Sequence, residues 1–222
     1  MLLVSGVSQR RAAVILHLNA KTVVRKFIFL GLRARKEIVH GNLHFPKAHT
    51  VEFDDLETFE HSKCKPISVT LAVESKTRRI LGFEVSQMPA KGKLAAVSRR
   101  KYGARKDERP LGRRRLFEAL RPLVCENAVF KSDENPHYPS DLLQHFPEAK
   151  HFTFKGRRGC IVGQGELKKI GFDPLFSLNH TCAKLRADIN RLFRRTWCTT
   201  KRPDRLELHI ALVAEYHNST LN

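Results

Sequence analysis

Cysteine is sparse and unpaired in this chain. The five, Cys64, Cys125, Cys160, Cys182 and Cys198, are odd in number, and no two stand in a C-x-x-C spacing. That excludes a disulfide framework and a zinc ribbon built from these residues, and it fits a reducing compartment. No apolar run reaches the ~18 residues of a spanning helix, and Met1–Val4 is too short for a signal peptide's apolar region. No internal repeat or low-complexity tract is present. Acid is also scarce: 22 Asp and Glu stand against 41 Lys and Arg, a formal net charge of +19 over 222 residues. A surplus of that size speaks about partners rather than fold. It points first to a polyanion, and to nucleic acid before a membrane surface, because no basic helix carries an opposed apolar face. A merely soluble basic protein is the plainer alternative.

The opening stretch "SGVSQRRAAVILHLNAKTVVRKFIFLGLRARK" predicts two short helices. Ser8 caps a helix from Gln9 to about Leu16, His17–Asn19 break it, and Asn19 or Ala20 opens a second. Ala12, Ala13, Ile15, Leu16, Leu18, Val23 and Val24 would share a small core. The unit reads as a helix-turn-helix, whose second helix would bring Lys21, Thr22, Arg25 and Lys26 to a DNA major groove. An ordinary helical hairpin is the alternative. Met1–Val4 read as the last turn of a helix whose earlier part is missing, as after a late start or truncation. Residues 38–48, with Gly41, Asn42 and Pro46, read as a linker between this unit (1–37) and a second domain (49–222).

Beyond the linker the texture changes. "VEFDD", the β-branched "PISVTLAVES" and "RRILGFEVSQMP" read as three strands, with a hairpin turn at Thr77–Arg79 between the last two. A basic stretch with helical pieces at 94–102 and 113–123 follows. "NAVFKSDE" is then a strand, "SDLLQHF" a short helix capped by Ser140, and "KHFTFKG" a strand. A glycine-rich basic loop leads to a helix with Cys182, Leu185, Ile189, Leu192 and Phe193 on one side, and a last helix closes the chain. Three strands, helix, strand, helix, strand, helix is the order of a ribonuclease-H-like fold. The expected architecture is therefore α/β: a mixed five-stranded sheet flanked by helices, preceded by the small helical unit.

Two acidic knots interrupt this basic chain, "VEFDDLETFE" at 51–60 and "SDE" at 132–134. Asp54 falls at the expected end of the first strand and Asp133 at that of the fourth, and these strands are neighbours in such a sheet. Two carboxylates there suit magnesium, which takes one or two together with water and phosphate oxygens. A pair of such ions about 3.5–4 Å apart clamps the attacking and leaving oxygens of a phosphoryl transfer. Solvated acids at a strand exit (Asp54, Asp55) and a plain turn before Pro136 (Asp133, Glu134) are the alternatives. Asp55, Glu57, Glu60 and Glu134 read as supporting or solvent-facing acids.

These residues resemble a family. The stretches "SQRRAAVILHLNAKTVVRK", "FDDLETFEHSKCKPISVTLAVESKTRRILGFEVSQMPAKG", "SDENPHYP", "KGRRGC" and "LNHTCAKLRADINRLFRRTWCTTKRPDRL" are similar to DDE-type transposases of bacterial insertion sequences. The closest group joins an N-terminal zinc ribbon and helix-turn-helix to a ribonuclease-H-like catalytic domain. The resemblance implies that Asp54 and Asp133 are the first two catalytic acids. The third position falls on Asn179, beside His180, so an acid is missing there. An Asn carbonyl or a His imidazole still ligates a metal, without negative charge, and imidazole suits softer ions. Glu166, in "GQGEL", is the reserve third ligand. The zinc ribbon that the family carries ahead of the helix-turn-helix is missing from the expected place.

The resemblance implies Mg2+ or Mn2+ as cofactor, double-stranded DNA as partner, and a homo-oligomer on DNA that pairs two element ends. It also implies a place in the bacterial cytoplasm with the nucleoid. The segment "KGKLAAVSRRKYGARKDERPLGRRR" and "KGRRGC", with Arg157 and Arg158, would contact phosphates, which positions DNA without reading its sequence. Trp197 would anchor a helix end or stack on a base. A truncated or decayed transposase that only binds DNA is the competing expectation. A structure-selective nuclease on the same fold is a third.

Overall fold

The computed structural model describes residues 1–155, 173–193 and 199–221. Arg157, Arg158, Glu166 and Trp197 lie outside the described residues. Five strands form one sheet: β1 (Ala48–Phe59), β2 (Pro66–Glu74), β3 (Ile80–Gln87), β4 (Val124–Asp133) and β5 (Lys150–Phe154), in the order β3-β2-β1-β4-β5. The β-branched run "ISVTLAV" of β2 is buried at every position, as a strand covered on both faces must be, and it lies inside the sheet. β1 pairs antiparallel with β2 and parallel with β4; β2–β3 is antiparallel and β4–β5 parallel. This is the mixed five-stranded α/β sheet of the ribonuclease-H-like fold.

Helices cover both faces. The others are α1 (Gln9–Ile15), α2 (Ala20–Leu43), α3 (Leu94–Tyr102), α4 (Arg109–Leu120), α5 (Tyr138–Leu143), α6 (Phe176–Asp188) and α7 (Pro203–Ser219). One core joins Leu56, Val69 and Leu71 to Phe27 of α2, Leu185 of α6 and Ile210 of α7. The other joins Phe53 and Phe130 to Phe117 of α4 and Tyr138 of α5. The period-2 pattern expected for β3 slips by one residue near its start. A register irregularity at Ala72/Val73 lets Leu81 pack in the second core while Ile80 and Phe83 pack in the first. Among the described residues, no helix is long and apolar enough to cross a membrane.

The N-terminal helices begin where the caps predict. Ser8 accepts from the Arg11 N–H (3.2 Å) and Asn19 from the Lys21 N–H (2.8 Å). Their shared core is smaller than expected. Ala12, Ala13 and Val23 are buried, but Ile15, Leu16, Leu18 and Val24 are exposed, because α1 makes only two turns and only its alanine face meets α2.

The larger difference is at the expected linker. α2 runs through 38–43 to Leu43. Phe27, Ala34 and Ile38 recur on one helical face and join the first core, and Arg35 bridges Glu84 of β3 and Glu207 of α7. Asn42, read as a loop former, is buried instead and donates to the Ile80 carbonyl (3.0 Å). Met1–Val4 form a 3-10 turn (Leu2–Val4) whose Val4 is buried in that same core.

Candidate active site

The parallel register sets Glu52 of β1 opposite Lys131 of β4. Two residues further along each strand stand Asp54 and Asp133, on strands about 4.8 Å apart. The neighbouring pair of acids expected from the sequence is therefore brought together. Asp54 does not end its strand, however. β1 continues to Phe59 because β2 needs a partner along its whole buried length, and Leu56 and Thr58 are buried within that extension. The pairing with β4 stops at Lys131, so Asp54 lies where β1 loses its parallel neighbour. Asp133 is the last residue of β4, with its Oδ1 accepting from the Asn135 N–H at 3.0 Å.

The Asp54 carboxyl is pushed up to about 7, first by burial and then by the charge of Asp133. The Asp55 N–H (2.6 Å) and the Tyr138 hydroxyl (3.1 Å) both donate to its Oδ1 and pull the other way. Asp133 is also raised, by burial first; the Asn135 N–H opposes this, and the charges of Asp55 and Glu134 add to it. Two partly desolvated carboxylates, each raised by burial and by neighbouring acids, are a site short of positive charge.

Asp55 is differently placed. Its Oδ1 accepts from Thr70 (2.6 Å), and its Oδ2 lies 3.8 Å from the guanidinium of Arg113. Arg113, 2% exposed, also donates from Nε to Asp141 of α5 at 2.6 Å. It was expected among the phosphate contacts of the basic segment, but its charge is turned inward to two acids. Ser140 was expected to cap α5; it sits inside the helix instead, donating to the His137 carbonyl at 3.2 Å.

An open cleft of about 530 Å³ adjoins Asp133, lined by Lys91, Arg109, Asp133, Glu134, Asn135, Pro136 and His137. Two cations therefore share the cleft with two carboxylates, Asp133 and Glu134, and the cations suit an approaching phosphate backbone. Lys91 pairs with Glu57 (3.3 Å) and Arg109 with Asp107.

The third position does not converge in the same way. α6 packs over β1, where the Leu178 N–H donates to buried Glu52 at 2.9 Å. Asn179, at the helix's exposed side, donates from Nδ2 to Asp173 at 2.9 Å. His180 lies with its ring nitrogens 3.3–3.4 Å from the Arg78 guanidinium in the β2–β3 turn. The α6 side chain that feels Asp54 is Cys182, whose thiol is pushed up to about 12 by burial, against the pull of Arg186 and with the charge of Asp54 adding. Among the described residues, no group of three His, Cys, Asp or Glu could hold a metal ion. Asp54 and Asp133 fit a magnesium or manganese site as a two-carboxylate oxygen set, completed from water and phosphate.

Lys21, Thr22, Arg25 and Lys26 are all exposed at the start of α2, with Lys26 over the Phe29 ring. Sequence reading missed Tyr138 and Asp141 as neighbours of the acids; Lys91 and Arg109 belong to the basic segment expected to contact phosphates there. Tyr138 stands only five residues after Asp133, which is the one signal that points to it. A comparison with protein-family models finds no match to this chain, and a comparison with curated proteins finds none either.

Proposed function

We propose that this chain acts on double-stranded DNA as a transposase of a bacterial insertion sequence, cleaving a phosphodiester at the element's ends and joining the 3′-hydroxyl to another strand. The observation that carries the reading is the pair Asp54 and Asp133, held on neighbouring parallel strands, with Asp133 on the wall of a cleft that also holds Lys91 and Arg109, in a chain of charge +19. Asp54 and Asp133 would hold magnesium or manganese. When bound, such ions supply the charge that lowers the pKa of the attacking hydroxyl and neutralises the leaving oxygen. Lys91 and Arg109 orient the backbone by its phosphates. Lys21, Thr22, Arg25 and Lys26 contact the DNA from the start of α2. A homo-oligomer would pair two ends, and the setting would be the bacterial nucleoid.

A strand-transfer assay on the element's own ends, with magnesium or manganese, tests the reading. Asp54→Ala and Asp133→Ala should each abolish metal-dependent cleavage while leaving DNA binding intact. Full cleavage by both variants would sink the site assignment.

A second reading has its own observation. Asn179 is at the exposed side of α6 with its amide nitrogen held by Asp173, and His180 lies against Arg78, so neither supplies a third acid. On that ground the chain is a DNA-binding protein without catalysis. Salt-sensitive DNA binding with no nicking at any magnesium or manganese concentration would favour it.

A further inference from the structure

We propose that Tyr138 and Arg113 are positioning residues for Asp54, fixing which of its two carboxylate oxygens is turned toward the metal. The proposal rests on the metal-site reading above.

Tyr138 is fully buried, and a buried phenol needs a partner for its hydroxyl. That partner is Asp54 Oδ1, at 3.1 Å. The Asp55 N–H reaches the same oxygen at 2.6 Å. Two donors thus converge on Oδ1, and among the described residues no hydrogen bond falls on Oδ2. A carboxylate gripped by one oxygen presents the other, in one rotamer.

The tyrosine is itself fixed. Its ring packs on Phe53 with centroids 4.9 Å apart, and the Arg113 guanidinium lies 5.6 Å from its centroid. Arg113 is pinned in turn, by Asp141 at 2.6 Å and Asp55 at 3.8 Å. Asp141 follows Tyr138 by three residues on α5, so both stand on one face of that short helix. Asp55 adjoins Asp54 on β1, and its other oxygen is occupied by Thr70. One buried cation therefore ties α4, α5 and β1 together around the Tyr138–Asp54 hydrogen bond, the one of the two that a side chain donates. It also stands 3.8 Å from Asp55, whose charge still reaches Asp54 and Asp133.

A simpler role is possible on paper: the network could only glue two helices to the sheet. Tyr138→Phe separates the two, because it keeps the ring and its packing and removes only the hydroxyl. The measurement is Mn2+ binding to the full chain, followed by loss of the free-ion electron paramagnetic resonance signal, beside a thermal melt. Partners that orient metal ligands change affinity by about tenfold to hundredfold when removed. The Mn2+ half-saturation of Tyr138→Phe should rise by about that factor, with the protein still folded. Arg113→Lys keeps the charge without the planar fork and should weaken Mn2+ in the same direction.

If the wild-type chain binds Mn2+ and Tyr138→Phe binds it equally well, the positioning role is overturned. A lowered melting temperature with Mn2+ affinity retained overturns it too, in favour of the structural role. If neither the wild-type chain nor Asp54→Ala binds Mn2+, the metal-site reading falls, and the positioning role falls with it. That outcome is distinct from the first because there the wild-type chain binds the ion.

Discussion

The Tyr138 hydroxyl donates to Oδ1 of Asp54 across 3.1 Å, joining the helix after β4 to the middle of β1. The bond steadies a carboxylate that the fold otherwise disfavours, since burial and the charge of Asp133 push Asp54 up to about 7. A chain that buries one acid beside the charge of another is accepting instability at a candidate functional position.

The sign of that instability is testable. The folded pKa of Asp54 lies above its ordinary value, so between pH of about 4 and 7 the folded chain keeps a proton that the unfolded chain has released. Stability therefore falls as pH rises through that window and stays lower above it. Asp54→Asn keeps an oxygen for Tyr138 and the Asp55 N–H, and it removes the charge. It should stabilise the chain at pH of about 8 by on the order of 2 kcal/mol, and by almost nothing near pH of about 4. The same change should abolish metal-dependent cleavage. Urea unfolding at the two pH values measures the first effect, and equal stability of variant and wild type at the higher pH would refute it.

His209 carries the opposite pH dependence. Its Nε2 lies 2.7 Å from the Leu3 carbonyl, and its ring meets Phe27 edge-on at 5.5 Å. Burial pushes its pKa down to about 4; the Leu3 carbonyl opposes this, and the charge of Arg191 adds to it. Here the unfolded chain binds the proton first. The stability from a neutral His209 is complete above pH of about 6.5 and is lost as pH falls toward about 4, by at most roughly 3 kcal/mol. The N-terminal turn should loosen over the same window, because the chain is held there through Leu3. Hydrogen exchange of residues 2–6 at pH of about 7 and 4.5 would show it. His209→Gln keeps a donor that does not titrate, and it should flatten the slope; an unchanged slope would assign the acid sensitivity to another group.

How much of this was legible in the sequence depends on range. The order of strands and helices follows from runs such as "ISVTLAV", whose burial is decided locally. The pairing of Asp54 with Asp133 followed from that order. What escaped was decided at a distance. Gly41 and Asn42 look like a loop, yet Asn42 finds the Ile80 carbonyl and is kept in a helix by a strand 38 residues away. Arg113 sits in a run of arginines that reads as a phosphate-binding surface, and only the fold shows Asp55 and Asp141 waiting for it. The doublet at Asp54 and Asp55 looked like a strand exit because acids are rare inside strands. The sheet tolerates it because one is bound by Arg113 and Thr70 and the other borders the end of β4.

Gly31 tests whether α2 belongs to the same body as the sheet. A Cβ built there would stand 2.7 Å from the Leu208 Cβ and 2.9 Å from the Leu208 carbonyl oxygen. Backbone of α7 cannot yield as a flexible side-chain tip can. Gly31→Ala should therefore destabilise the whole chain by about 1–3 kcal/mol despite the better helix propensity of alanine. A single unfolding transition with a lower midpoint is the expected result. An early separate transition of the N-terminal helices would mean that they fold apart from the sheet.

The cleft cations allow a sharper test of the nucleic-acid reading. Lys91 and Arg109 line the wall that carries Asp133. Each is paired with an acid close by, Glu57 and Asp107 respectively. The Lys91 pair is well exposed, so its loss should alter stability by no more than ~1 kcal/mol. Lys91→Ala and Arg109→Ala can then be compared with wild type as folded proteins. If each cation meets a phosphate, each substitution removes about one released counterion and makes the slope of log binding constant against log salt shallower by roughly 0.9. The loss should be the same for unrelated duplexes, because phosphates carry no sequence. Thr22→Ala at the start of α2 should instead change the preference among sequences and leave the salt slope alone. Fluorescence anisotropy on two duplexes over a salt series measures both. Unchanged slopes for Lys91→Ala and Arg109→Ala would remove DNA from the cleft, and with it the reason to place a scissile phosphate beside Asp133.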